Sequence, residues 1–253
     1  MLKNRMNILG LIIYLSFLTT NCFALDKKEA PTLYFDLGKK GGWVPFRNAE
    51  KNGGTSIFTD LSKALQANTG IQFKTVNFPQ KRAAKALMDG IVDFDFSCLE
   101  WFEDNDPGPG FVVTESFFEI TEHIVTLKEN SHLFPTGESI FGKPIGTISG
   151  YFYFDDNKFS RIDFLNENQL ILGLKKNRLK AVILERETAK YWAKLNNTEI
   201  AFAALHTTGN LVMRVKKEHS ALIPLLNQAI QIMKTSGELQ AILSSQGIES
   251  KIY

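Results

Sequence analysis

The sequence predicts an α/β fold built as two successive units. Short apolar runs with strand character alternate with stretches whose apolar residues recur at helical spacing. Over residues 32–96 the order is strand, helix, strand, helix, strand, which calls for parallel pairing. An acidic segment with two prolines and two glycines, residues 100–110, breaks the pattern before it resumes. Composition agrees with a globular chain. The 253 residues are 44% hydrophobic and 22% charged, which excludes disordered, collagen-like and coiled-coil classes. The 29 basic and 27 acidic residues leave +2, a balance that argues against nucleic acid as a partner.

In the first unit, Thr32 to Leu37 is a strand, and Gly38 to Gly54 is a glycine-rich loop carrying Trp43, Pro45 and Phe46. Ile57, Phe58, Leu61 and Leu65 mark a helix with Thr55 or Ser56 as its cap and Gly70 as its stop. Ile71 to Phe78 is a strand. Pro79 opens the next helix, where its missing N–H does no harm, and Gly90 ends it. Val92, Phe94 and Phe96 alternate as a third strand, and Ile120 to Leu127 is a strand beyond the break. In the second unit, strands are expected at Lys143–Ile148, Arg161–Leu165, Leu179–Leu184 and Leu211–Val215. Helices are expected at Gln169–Lys176 and Glu187–Leu195. From His219 to Gly247 the chain reads as helical, interrupted near Ser236-Gly237.

The N-terminus stands apart. Lys3 and Arg5 precede an apolar run, Ile8 to Leu18, too short to span a bilayer. Small residues before a break after Ala24 complete the pattern of a cleaved secretory signal peptide, residues 1–24, and imply a periplasmic protein. Lipoprotein processing at Cys22 is the rival, although Thr19-Thr20-Asn21 is a poor match to it. Cleavage leaves 229 residues, balanced charge and Cys98 as the sole cysteine, so no internal disulfide can form. Cys98 reads as a buried, inert thiol.

No zinc-ligand spacing, Walker-type loop or G-x-G-x-x-G motif occurs. Gly146-Thr147-Ile148-Ser149-Gly150 puts its serine one place too late for a nucleophile elbow. No metal, cofactor or catalytic residue is expected.

Several segments, in order over about 200 residues, resemble the extracytoplasmic solute-binding proteins of family 3, the amino-acid transporter type, in a divergent subgroup. Gly42-Trp43-Val44-Pro45-Phe46 resembles the first ligand loop, and Ile57 to Gly70 the first helix. Pro79, Arg82, Leu87, Gly90 and Asp93 resemble a P…R…L…G…D stretch. Thr114 to Phe118 resembles FS-x-PYY, Gly142 to Thr147 resembles GKxIG, and Leu179 to Glu185 resembles a strand ending in an acid. The resemblance implies a two-lobed, type II periplasmic-binding-protein fold. Each lobe would be a mostly parallel sheet flanked by helices, the two joined by crossings near Thr121–Lys128 and Thr207–Val215. Lobe 1 would comprise residues 25–124 and 211–253, and lobe 2 residues 125–210. The implied partners are a small solute and a membrane permease or sensor, with the binding protein itself monomeric. A dehydratase-like enzyme on the same scaffold and a receptor-docking protein are the alternatives.

The chain departs from the family where ligand is held. Residues Ser97 to Glu103 carry no arginine where T-x-x-R usually supplies a fork for an α-carboxylate, and the usual terminal aspartate is Glu185. The candidate ligand-binding residues are Trp43, Phe46, Arg82, Glu100, Trp101, Thr147, Ser149, Tyr151 and Glu185. Trp43 and Trp101 can face a ligand or plug a loop onto the core. Arg82 can grip an anion or lie in solvent. Thr147 and Ser149 can offer donors or simply end a strand, and Glu185 can accept an ammonium or suit a helix dipole. The acids beside aromatic rings rank amine-bearing solutes first, ordinary α-amino acids second and sugars third.

Overall fold

The computed structural model describes residues 30–48 and 55–253. The expected signal peptide, Cys22 and the end of the glycine-rich loop lie outside the described residues. The first unit forms as its pattern dictates. Strands β1 (Thr32–Asp36), β2 (Gln72–Val76) and β3 (Phe94–Cys98) pair in parallel, linked by α1 (Ile57–Thr69) and α2 (Gln80–Met88). Ser56 and Thr59 cap α1 reciprocally, each side chain accepting the other's backbone N–H. Gly70 closes α1 at φ 76°, a left-handed conformation that suits a residue without Cβ.

After the short β4 (Phe111–Val113) come β5 (Glu119–Leu127), β6 (Pro144–Ile148), β7 (Ser160–Phe164), α3 (Glu167–Lys175), β8 (Ala181–Glu185) and α4 (Arg186–Leu195). Strand β9 (Ile200–Lys216) then runs 17 residues and is followed by α5 (Ile223–Ser236) and α6 (Glu238–Ser245). The strand order is β2-β1-β3-β9-β5-β8-β6-β7, with β4 on β9. Within this order β6 pairs in parallel with β7 and β8, whereas β9 is antiparallel to β3, β4 and β5.

Two bodies of core result. One gathers residues of 33–120 with Leu211, Met213 and Val215 and the buried faces of α5 and α6, including Leu226, Ile230 and Leu239. Stacked rings dominate it: Phe58 lies 4.2 Å from Phe96 and Phe35 5.2 Å from Phe94, centroid to centroid. Pairs of this kind add about 0.5–1.5 kcal/mol each beyond the area they bury. The other body draws on residues 124–192, with Leu170, Ile171 and Leu174 of α3 against Val182 and Leu184 of β8. Two lobes meet along β5 and β9. Residues 200–210 of β9 pair with β5, and residues 211–216 pair with β3 and β4.

Three elements differ from the sequence expectation. β9 begins at Ile200 rather than Leu211, because residues 200–206 show no period-two alternation and are half-buried or exposed throughout. β4 has three residues beside Gly108, Pro109 and Gly110, too few to display a pattern. Residues Lys217–Leu222 form a 3-10 turn, and α5 starts only at Ile223, with Pro224 in its first turn.

Candidate functional site

The C-terminal ends of β1, β3 and β8 point toward a cavity of about 100 Å³ between the lobes. Open α/β sheets bind ligands at such ends.

From the first lobe come Trp43 and Arg47 of the loop after β1, Phe58, one face of α2, and Trp101 and Phe102 beyond β3. Trp43 is 6% exposed. Its ring centroid lies 4.9 Å from Phe46, 5.3 Å from Phe58 and 5.6 Å from Trp101, so it belongs to the core and to the cavity wall at once. Its indole N–H is buried without a hydrogen-bond partner among the described residues, as is Nε of Arg47.

Arg47 is the hub between the lobes. Its guanidinium donates to Gln80 Oε1 at 2.8 Å and to the Tyr151 hydroxyl at 2.9 Å, and lies 3.5 Å from Asp36. Tyr151, from the turn after β6, donates in turn to the Glu167 carboxylate at the start of α3. Burial works against the arginine's charge, but Tyr151, Asp36 and Glu167 around it more than restore it. The same burial raises the carboxyls of Asp36 and Glu167, with Arg47 opposing in both cases. Two further bonds tie the loop to the second lobe: Asn168 N to Gly41 O at 3.0 Å and Trp192 Nε1 to Gly42 O at 2.8 Å. The lobes are therefore in contact, with the cavity enclosed between them.

From the second lobe and the crossing strands come Tyr151, Phe152, Glu167, Glu122, Glu185 and Arg214. Glu185 caps α4, each carboxylate oxygen accepting a backbone N–H at 2.8 Å, from Glu187 and Thr188. Burial outweighs these bonds and lifts its pKa to about 7. Arg214 holds Asp95 with two bonds, at 3.0 and 2.6 Å, between the rings of Phe102 and Phe111.

The structure brings together Trp43, Trp101, Tyr151 and Glu185 of the residues chosen from sequence. It sets the others apart. Phe46 is 1% exposed in the first lobe's core, behind Trp43. Arg82 is exposed, because Gln80, Ala83, Ala84 and Leu87 form the face of α2 turned to the cavity. Glu100 lies over Gly209 of β9 rather than on the cavity wall. The Thr147 hydroxyl is buried and given to Asp163 at 2.7 Å. Ser149 lines an adjoining cleft with Lys39, Lys40 and Lys81, which shares Trp43, Arg47, Gln80 and Glu167 with the cavity. Asp36, Arg47, Glu122 and Glu167 were not singled out from sequence. An acid ending a strand, as in Asp36, and an arginine two places past Pro45 in an aromatic loop are signals that point to two of them.

The family model for bacterial extracellular solute-binding proteins, family 3, matches residues 36–245. The chain belongs to this family. It is 22% identical over 224 residues to a probable histidine-binding protein of Campylobacter jejuni, covering 86% of each chain. Among solved structures, an ancestral arginine-binding protein bound to arginine superposes with a TM-score of 0.71 at 21% identity, over 87% of this chain and 100% of that one. An uptake-transporter substrate-binding protein from Streptococcus pneumoniae with bound histidine gives 0.68 at 16% identity, over 87% and 94%. The solute-binding fold of family 3, two α/β lobes around a cleft, is thus the architecture seen here. Among the described residues no helix is long and apolar enough to cross a membrane.

Proposed function

We propose that this family 3 protein captures a small, amine-bearing, amino-acid-like solute between lobe 1 (residues 25–124 and 211–253) and lobe 2 (125–210). The observation that carries the reading is the charge of the cavity wall. Among the described residues, the cavity wall carries five acids, Asp36, Asp95, Glu122, Glu167 and Glu185, against the two arginines Arg47 and Arg214, with Lys39 acting on Asp36 and His206 on Glu122 from beside it, among rings of Trp43, Phe58, Trp101 and Phe102. Carboxylates pair with cationic nitrogen, and aromatic faces attract it. The unpartnered N–H groups of Trp43 and Arg47 suit an acceptor at the other end of the same solute, such as a carboxylate. Arg47 would then stand in for the arginine missing from residues 97–103. The relatives that bind histidine and arginine support the class.

The protein is read as an exported, monomeric carrier that hands its solute to a membrane permease or sensor and performs no chemistry on it. Calorimetric titration against basic amino acids, diamines, neutral amino acids, sugars and dicarboxylates tests the ligand class. Binding confined to cationic solutes is expected, and a preference for a sugar or dicarboxylate would overturn it. Small-angle scattering should show a smaller radius of gyration with saturating ligand than without. The intact mass of the exported protein should correspond to residues 25–253, whereas a diacylglyceryl adduct on Cys22 would refute cleavage after Ala24.

A further inference from the structure

Of the five acids on the cavity wall, four already hold hydrogen bonds within the protein. Asp36 accepts N–H groups from Gly38 and Phe78 and faces Arg47. Asp95 holds Arg214, Glu167 takes the Tyr151 hydroxyl, and Glu185 serves the backbone of α4. Glu122 differs. It is 6% exposed, its Oε2 is fully buried, and that oxygen accepts no hydrogen bond among the described residues. It does have an ion-pair partner in Nδ1 of His206 at 3.5 Å, the same reach as Arg47 to Asp36, and against burial it helps to raise that imidazole's pKa to about 9. That ring is already turned to Asp155 through Nε2 at 3.1 Å and to Thr207 through Nδ1 at 3.1 Å.

The backbone singles out the same residue. The register of β5 against β9 shifts between Glu122 and His123, and again between Ile124 and Val125. Irregularities of this kind re-aim side chains beside sites. Glu122 also sits directly opposite Glu185 on β8, which places both carboxyls on one face of the sheet with Cβ atoms about 5 Å apart. Like charges facing each other repel, and a cation between them removes the repulsion. His206 does not meet that need, because Asp155 shares it; the two acids and one imidazolium carry a net negative charge even before Glu185 is counted.

We propose that Glu122, on the crossing strand, is the seat of the solute's cationic nitrogen and sets the preference of the cavity for charged over neutral ligands. The assignment rests on the reading of this cavity as an amine site. It places the charge of the ligand on a strand shared by both lobes, where its arrival bears on β5 and β9 together.

Isothermal titration of the purified protein with L-arginine, L-histidine and agmatine tests it, using the wild type, E122Q and E185Q. E122Q should weaken binding by about 30-fold or more, and E185Q by less, since its oxygens already serve α4. A second readout is unmoved by a merely structural role. The wild type should prefer L-arginine to L-citrulline or to desamino-arginine, and E122Q should bring one of those ratios close to unity. If circular dichroism shows E122Q unfolded, E122D replaces it. That variant keeps the charge one methylene further back and should bind about tenfold more weakly, with the preference retained. Amine binding by the wild type with E122Q within about twofold of it and both ratios unchanged overturns the assignment to Glu122 alone, and so does E122D binding within about twofold of the wild type where E122Q is unfolded. A wild type that binds none of the amines overturns the amine reading, and this assignment with it.

Discussion

Glu122 on the crossing strand apart, the first lobe meets the cavity with aromatic rings and charges that are already matched; the second meets it with acids that outnumber their cations. On the first side Asp95 is locked to Arg214, and Asp36 has two backbone N–H donors besides Arg47. On the second, Glu167 leans on a tyrosine and Glu185 on a helix end, without a lysine or arginine bonded to either among the described residues. The difference divides labour. A matched, ring-lined wall keeps its shape with or without a solute, whereas a wall short of cations is completed by one that carries positive charge.

The sharpest way to break this comparison is to remove the platform. Trp43→Ala deletes a side chain packed on Phe46, Phe58 and Trp101, and should lower unfolding free energy by about 3–5 kcal/mol in urea titration. A loss below 1 kcal/mol would mean that the ring belongs to the ligand rather than to the fold.

Next in size is the pH dependence of the ligand-free protein. The folded pKa of Glu185 is about 7 against an ordinary 4.5, so the folded state holds that proton more tightly than the unfolded state. The resulting stability is full below pH 4.5 and lost as pH rises through 7. His206 acts in the same sense. Burial lowers its pKa, Asp155 and Glu122 more than reverse this, and the group reaches about 9 from 6.5. Its contribution is full below pH 6.5 and lost as pH rises through 9. The Tm should therefore fall from pH 5 to 9, and Glu185→Gln should flatten the part between 5 and 7. For Glu185 the effect is on the order of 3 kcal/mol. A Tm that rises over this interval would contradict the buried, cation-poor second wall.

Tyr151→Phe separates the walls without emptying either. It removes the hydroxyl shared by Arg47 and Glu167 and should cost about 1–3 kcal/mol, with a larger ligand-free radius of gyration by scattering. The smallest effect belongs to Arg82→Ala. Exposed and off the cavity wall, it should change neither stability by more than about 0.5 kcal/mol nor affinity by more than about twofold. Loss of binding there would restore Arg82 as an anion grip.

Much of the architecture was legible because it is local. Period-two and period-3.6 patterns, Ser56, Gly70 and Pro79 mark the first unit, and α3, β8 and α4 formed within two residues of where they were expected. The site was legible only where an aromatic or acidic residue follows a strand end, as with Trp43, Trp101 and Glu185. Arg47 and Tyr151 meet across 104 positions, a distance no spacing rule reaches. Arg82 misled because sequence shows that α2 borders the cleft but not which of its faces does. Glu122 carried an unused signal. In β5 it shares the buried register with Ile120 and Ile124, and a carboxylate on an apolar face needs a partner.

Cys98 gives the molecule a clock of its own. Its side chain is wholly buried at the end of β3, opposite Leu211 of β9, and burial pushes its thiol well above the ordinary range. It is the one cysteine among the described residues. An alkylating reagent can reach that sulfur only in the moments when the ladder joining the crossing strand to the first lobe comes apart. The labelling rate therefore counts those moments, and a solute that holds the two lobes together should make them rarer.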